Sequence, residues 1–201
     1  MKKLICMMFV LLLTACQTYP INLAIKPETR NNLNFPNLEP IFEANENSVR
    51  GVSLDETKIK NNTPYAMLFY REIEKNVVMH GGDKKGSIIL TPVLHTNKPN
   101  LGWTLLSGIT LYAPNILGMP FASHTSFCEL ELRIVDKNGK LIRAYNADSE
   151  VTKYTAAYWG YYPQDTINAA LYGSYKETLT KLMNQMNNDK ELIIRELSKK
   201  K

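Results

Sequence analysis

Ser126-Phe-Cys-Glu-Leu-Glu-Leu-Arg-Ile-Val-Asp-Lys-Asn-Gly-Lys-Leu-Ile-Arg-Ala-Tyr145 is the stretch on which the fold turns. Cys128, Leu130, Leu132 and Ile134 alternate with Glu129, Glu131 and Arg133. That period of two predicts a strand with one buried and one wet face. Asn138-Gly139 then predicts a two-residue hairpin turn with positive φ at both positions. Leu141 to Tyr145 returns, and Thr152, Tyr154, Ala156 and Tyr158 line one face of a third strand.

Upstream, Thr63-Pro64 opens a helix, because Thr caps well and Pro suits the first helical position. Tyr65, Phe69, Ile73 and Val77 recur every four residues with Leu68 beside them, and Gly81-Gly82 stops the helix at about residue 80. Val49 to Leu54 is a short strand before it. Ser87 to Leu94 is a strand after it, in which Pro92 marks an edge, a bulge or the end. Downstream, Asp165 is read as the cap of a long helix lined by Ile167, Leu171, Tyr175, Leu179, Leu182 and Met186. Asn187-Asn188-Asp189 interrupts it, and a terminal helix follows from Lys190. The class is α+β: a small antiparallel or mixed sheet of about four or five strands with two main helices on one face. Its order is β-α-β-(apolar segment)-β-β-β-α.

The N-terminus carries a processing signal. Lys2 and Lys3 precede an uncharged run, Leu4 to Leu13, that is half the ~20 residues a spanning helix needs. A basic start, a short apolar core and small residues before a cut are the pattern of an export signal. Leu13-Thr14-Ala15-Cys16 resembles the bacterial lipobox. That resemblance implies cleavage after residue 15, a diacylglyceryl group and palmitate on Cys16, and anchoring in a bilayer. In such proteins an Asp after the Cys retains the chain in the inner membrane, so Gln17 implies the outer membrane's inner leaflet, facing the periplasm. The expected organisation is signal 1–15, anchored linker 16–47 and a single domain 48–201.

The linker holds Pro20, Pro27, Pro36 and Pro40 and an Asn-rich stretch. Within it, residues 33–42 read equally as leash or as an edge packed along the domain. With Cys6 in the signal and Cys16 on lipid, Cys128 remains alone, which leaves no intramolecular disulfide in the mature chain. Removing Lys2 and Lys3 lowers the formal charge from +5 to +3. A balance this mild is no argument for nucleic acid.

Residues 99–128 carry no formal charge, in a chain where 21% of residues are charged. Gly102, Gly108, Pro114, Gly118 and Pro120 interrupt any spanning helix. Two readings remain open: a buried connection over the sheet, or an exposed apolar hairpin that contacts membrane or partner. For the second, the candidate contacts are Trp103, Leu105, Leu106, Ile109, Leu111 and Tyr112. Tyr154, Tyr158, Trp159, Tyr161 and Tyr162 form an aromatic cluster that suits either strand packing or recognition.

The lipobox, the Leu106-Ser-Gly-Ile-Thr-Leu-Tyr112 and Leu117-Gly-Met-Pro-Phe121 stretches, and Glu129 to Tyr145 together resemble uncharacterised bacterial envelope lipoproteins. Such proteins often have a fold similar to the N-terminal domain of TolB, seen also in the curli secretion lipoprotein CsgG and in penicillin-binding-protein activators. The resemblance covers about residues 48–187 and is one of pattern. It implies a non-enzymatic adaptor role and transfers no binding residue.

Catalytic and metal chemistry finds little support. Cys128 with His95 or His124 is conceivable as nucleophile and base, but its phase with Leu130 predicts a packed thiol. Three scattered histidines lack zinc spacing, and Asp136-Lys-Asn-Gly lacks the further ligands of a calcium loop. No phosphate loop or hydrolase motif is present. The expected function is a non-catalytic adaptor or scaffold in an envelope assembly, without cofactor or metal. It is bound to the bilayer through Cys16 and to an envelope protein, or to itself. The alternatives are a subunit of a membrane-inserting oligomer using residues 101–121, and a Cys-dependent hydrolase.

Overall fold

A computed structural model describes residues 33–43, 49–50, 64–78, 81–157 and 162–198. Its strands are β1 (Leu38–Phe42), β2 (Val49–Arg50), β3 (Gly86–Asn100), β4 (Pro120–Asp136) and β5 (Leu141–Ala156). Its helices are α1 (Pro64–Asn76), α2 (Leu101–Ile109), α3 (Ala113–Ile116), α4 (Pro163–Asn188) and α5 (Lys190–Ser198). The fold is α+β around one mixed sheet ordered β1-β3-β4-β5, with β2 also paired to β3. β1 and β2 run parallel to β3; the long β3-β4-β5 ladder is antiparallel.

The alternating stretch behaves as its period demands. Leu130, Leu132 and Ile134 are fully buried, opposite Pro92, Leu90 and Ile88 of β3. α1 and α4 cover this face. Phe69 and Ile73 of α1 and Leu179, Leu182 and Met186 of α4 join one core with Phe42 and Ile193. Gly86 sits where β3 meets the end of β4 so closely that a Cβ would fall inside the Val135 carbonyl oxygen.

Of the two readings of residues 33–42, the packed edge is the one observed. Leu33, Phe35, Leu38 and Phe42 are buried in the core. The Leu33 N–H donates to the Asn76 carbonyl and the Phe35 N–H to that of Val77, both at 2.8 Å.

Several local expectations are corrected. α1 ends at Asn76, short of residue 80, because Val78 is taken into a bridge with Phe35. The hairpin is wider than two residues. Gly139 alone has positive φ (77°), its N–H reaches the Asp136 carbonyl, and the Asp136 side chain accepts from the N–H groups of Asn138 and Lys140. This is a type I turn closed by a left-handed glycine. The Asp136 carboxyl is held below its ordinary value, first by the Lys140 N–H, so hydrogen bonding within the turn accounts for the calcium-loop look. Asp165 is not the cap of α4. Tyr162 holds that place without a side-chain capping bond to the helix, Pro163 opens the helix, and Asp165 lies in the first turn, where the helix dipole favours its charge.

The largest difference is length. β3 has 15 residues and β4 has 17, and the two returning strands, 141–145 and 152–158, are one 16-residue β5 as far as Ala156. Pro92 marks a bulge, between Pro92 and Leu94, and beyond it the inward residue of β3 is His95. Over this half of the sheet the inner face is polar: His95, Ser126 and Ser149 meet Ser174 and Thr178 of α4. A polar inner face gives no hydrophobic alternation, and here Ser126, Ser149, Ser174 and Thr178 are buried with their hydroxyls bonded to one another or to backbone carbonyls.

Candidate functional site

The sheet has two unlike ends. At the hairpin end lies an open cavity of about 420 Å³, lined among others by Lys84, Lys85, Lys137, Lys140, Asp136 and Glu196. At the other end β3 passes directly into α2, and α3 leads back into β4. The α2–α3 unit caps the sheet.

Asn100 begins α2 as a true N-cap, its side chain accepting from the Gly102 N–H at 2.9 Å. The helix then turns its polar side chains back on the backbone. Ser107 Oγ donates to the Trp103 carbonyl (2.8 Å), Thr110 Oγ1 to that of Leu106 (2.8 Å), and Thr104 Oγ1 to that of Phe121 (3.1 Å). Asn115 Nδ2 donates to the carbonyls of Met119 (3.1 Å) and Pro120 (3.0 Å). Of α2 only Ser107 is buried, and of α3 only Asn115.

The apolar side chains therefore face out. Leu111 and Leu117 are each 86% exposed, and Leu101, Ile109, Leu105 and Ile116 lie between 67% and 71%. Tyr112, Leu106 and Met119 are less open but still exposed. Nine large apolar side chains, all from residues 101–119, are thus left exposed in one short stretch of chain, unlike the single scattered apolar residues usual on a surface. At the corner, Leu111 (φ 49°) and Tyr112 (φ 60°) are consecutive left-handed residues, a conformation costly for side chains without a local polar group. The chain accepts that strain and holds a leucine and a tyrosine outward.

Of the six candidate contacts, five are exposed. Trp103 is the exception: half-buried, its ring meets Tyr154 of β5 edge-on at 6.2 Å. Tyr154 is 37% and Tyr162 54% exposed, so one member of the aromatic cluster belongs to the base of the cap. Tyr158, Trp159 and Tyr161 lie outside the described residues, as do Cys16 and the lipobox residues Leu13, Thr14 and Ala15. Leu101, Ile116, Leu117 and Met119 were not singled out by sequence, though all lie in the same charge-free run; what marks them is exposure, which composition does not report.

Cys128 and His95 are direct register partners across β3 and β4. Their surroundings oppose nucleophilic chemistry. Cys128 is fully buried, and burial pushes its thiol up to about 12, far from the thiolate a nucleophile needs. His95 Nε2 lies 3.3 Å from Ser126 Oγ and 3.4 Å from Ser174 Oγ, and the ring also bonds the Leu171 backbone. Burial lowers its pKa to about 4. Ser149 Oγ donates to the Ser174 carbonyl and lies 2.6 Å from Thr178 Oγ1, and Thr178 Oγ1 reaches the Cys128 carbonyl at 3.1 Å. Every one of these groups is spent on the fold. The Cys128 thiol should therefore resist a maleimide reagent in the native protein and react fully in denaturant; rapid native labelling, followed by mass spectrometry, would contradict the sealed site. His124 is half-buried and its pKa is lowered by burial. Among the described residues no group of three His, Cys, Asp or Glu side chains could hold a metal ion.

No family model matches the chain, and no curated protein matches it. One solved structure similar to it is a crystal structure of a candidate lipoprotein from Caulobacter crescentus CB15. It is 14% identical, covers 79% of this chain and 92% of its own, and superposes with a TM-score of 0.37. A likeness of that order transfers neither fold nor activity.

Proposed function

We propose that the protein is a lipid-anchored bacterial envelope lipoprotein that works by contact rather than catalysis, as an adaptor or scaffold. The observation that carries this reading is the α2–α3 cap, whose apolar side chains the domain leaves exposed and whose sequence carries no charge. Clustered exposed apolar side chains of this kind mark a place of interaction. The lipobox supports the anchor, and Gln17 the outer membrane's inner leaflet. The sealed Cys128–His95 pair speaks against the hydrolase alternative. The other alternative, a membrane-inserting oligomer in the manner of CsgG, draws on the same cap. Among the described residues no helix is long and apolar enough to cross a membrane.

The anchor is tested by feeding labelled palmitate to cells that express the full chain. Wild type should take up label and run at its processed size, and Cys16→Ser should take up none and remain unprocessed. Label on the Cys16→Ser chain, or none on wild type, would sink the assignment. The contact role is tested by placing a photo-crosslinker at Leu105 and at Lys137. Adducts from Leu105 with lipid or with an envelope protein support it; adducts from Lys137 alone contradict it.

A further inference from the structure

We propose that the α2–α3 cap seats in the same bilayer that holds Cys16, as a one-sided wedge rather than a span; this rests on the reading of Cys16 as the lipid anchor. Three observations point to lipid. The first is the absence of any formal charge from residue 99 to residue 128, so α2, α3 and the corner between them contribute no charged side chain to the contact. The second is the inward turn of the cap's polar groups. The hydroxyls of Thr104, Ser107 and Thr110 and the amide nitrogen of Asn115 donate to backbone carbonyls, so these donors need no water. The third is exposure. Leu111 and Leu117 are the most exposed apolar side chains of the unit, with Tyr112 next to Leu111 in the left-handed corner and Trp103 packed on Tyr154 at its base. An apolar face of this kind lies about 5–10 Å deep in the boundary between headgroups and acyl chains, with amphipathic rings at the headgroup level.

The geometry of the tether sharpens the claim. Leu33 is bonded to Asn76, and β1, which follows it, starts opposite Gly86; Gly86 in turn pairs with Asp136 beside the hairpin. The anchored chain therefore joins the domain at the end far from the cap. The 15-residue β3 separates those ends by about 45 Å, at ~3.3 Å per residue. From Cys16 to Leu33 there are 17 residues, which reach at most ~60 Å. The tether is long enough for the cap to meet the anchoring bilayer with the domain upright, and little longer. The rival orientation sets the basic hairpin end, with Lys84, Lys85, Lys137 and Lys140, on an anionic surface and points the cap away.

The test uses the lipidated full chain in vesicles of phosphatidylethanolamine and phosphatidylglycerol, with an environment-sensitive fluorophore on Leu111→Cys or on Lys137→Cys; Cys128 is sealed and does not compete. The expected result is blue-shifted emission, quenched by spin-labelled lipid, at residue 111 and water-like emission at residue 137. Leu105→Asp with Ile109→Asp should abolish the shift at 111 with melting temperature and flotation unchanged. Deleting residues 19–26 shortens the reach to ~32 Å and should also abolish it, while the chain still floats with the vesicles. Lipid quenching at 137 rather than 111, or at neither, overturns the proposal. So does a shift at 111 that survives the deletion, or one that appears without lipid as the protein self-associates. Failure to float at all overturns the Cys16 anchor instead, and the proposal with it.

Discussion

Replacing Phe35 with Ala should destabilise the folded chain by about 3–5 kcal/mol, measured as a lowered midpoint in denaturant unfolding. Phe35 is fully buried beside Leu33, Leu38 and Phe42, and its N–H is bonded to the Val77 carbonyl. Truncation leaves a cavity among residues of α1 and β1 that cannot close without moving a strand. Leu117→Ala, at an 86% exposed position of the cap, is the control and should stay within about 0.5 kcal/mol. Equally small effects would mean that Phe35 is not part of the core, and equally large ones that Leu117 is not exposed. The prediction separates the two apolar populations of this chain, one holding the fold and the other left for something else.

Lowering the pH from 7 to 4 should remove roughly 3 kcal/mol of stability through His95 alone. Burial drops its pKa from 6.5 to about 4. Between those values the unfolded chain binds a proton that the folded chain refuses. This stability is fully present above pH 6.5 and is lost as the pH falls toward 4, at about 1.4 kcal/mol per pH unit. The cause is local. His95 lies against Ser126 and Ser174, with Tyr65 edge-on at 5.1 Å, and a charged imidazole there would have hydroxyls and an aromatic edge around it. His95→Asn should be less stable at pH 7 and show a shallower slope between pH 6.5 and 4. Carboxylates elsewhere titrate in both proteins and cancel in the comparison. Parallel slopes would show that His95 does not carry the effect.

Much of the fold was legible because apolar residues recur at the period of their element. Leu130, Leu132 and Ile134 marked β4, Phe69 and Ile73 marked α1, and Leu179, Leu182 and Met186 marked α4. Both sheet-covering helices and the break at Asp189 follow from residues that can be named in advance, and of the three meanings open for Pro92 the structure selects the bulge. The cap-end half of the sheet was not legible. Its inner face is His95, Ser126 and Ser149, which alone read as loop or wet surface. They become core only when Ser174 and Thr178 arrive from α4 with matching hydroxyls. Hydrogen bonding between distant segments has no period in the chain. The same holds for the hairpin, where Asn-Gly pointed to the right place but the Asp136 side chain selected a different turn.

The sequence by itself determined the α+β class, the order of the main elements and the existence of a long charge-free run. These rest on local chemistry: periodicity, turn residues, and the incompatibility of charge with an apolar medium. Whether Leu105, Ile109, Leu111 and Leu117 would be core or surface was decided by the tertiary structure alone. A leucine is buried only if another surface is available to it. Here α1 and α4 already occupy the apolar face of the sheet, and at the cap end Trp103 on Tyr154 is the ring contact that ties α2 to β5. The rest of α2 and α3 is left outward, at the end of the sheet opposite the hairpin.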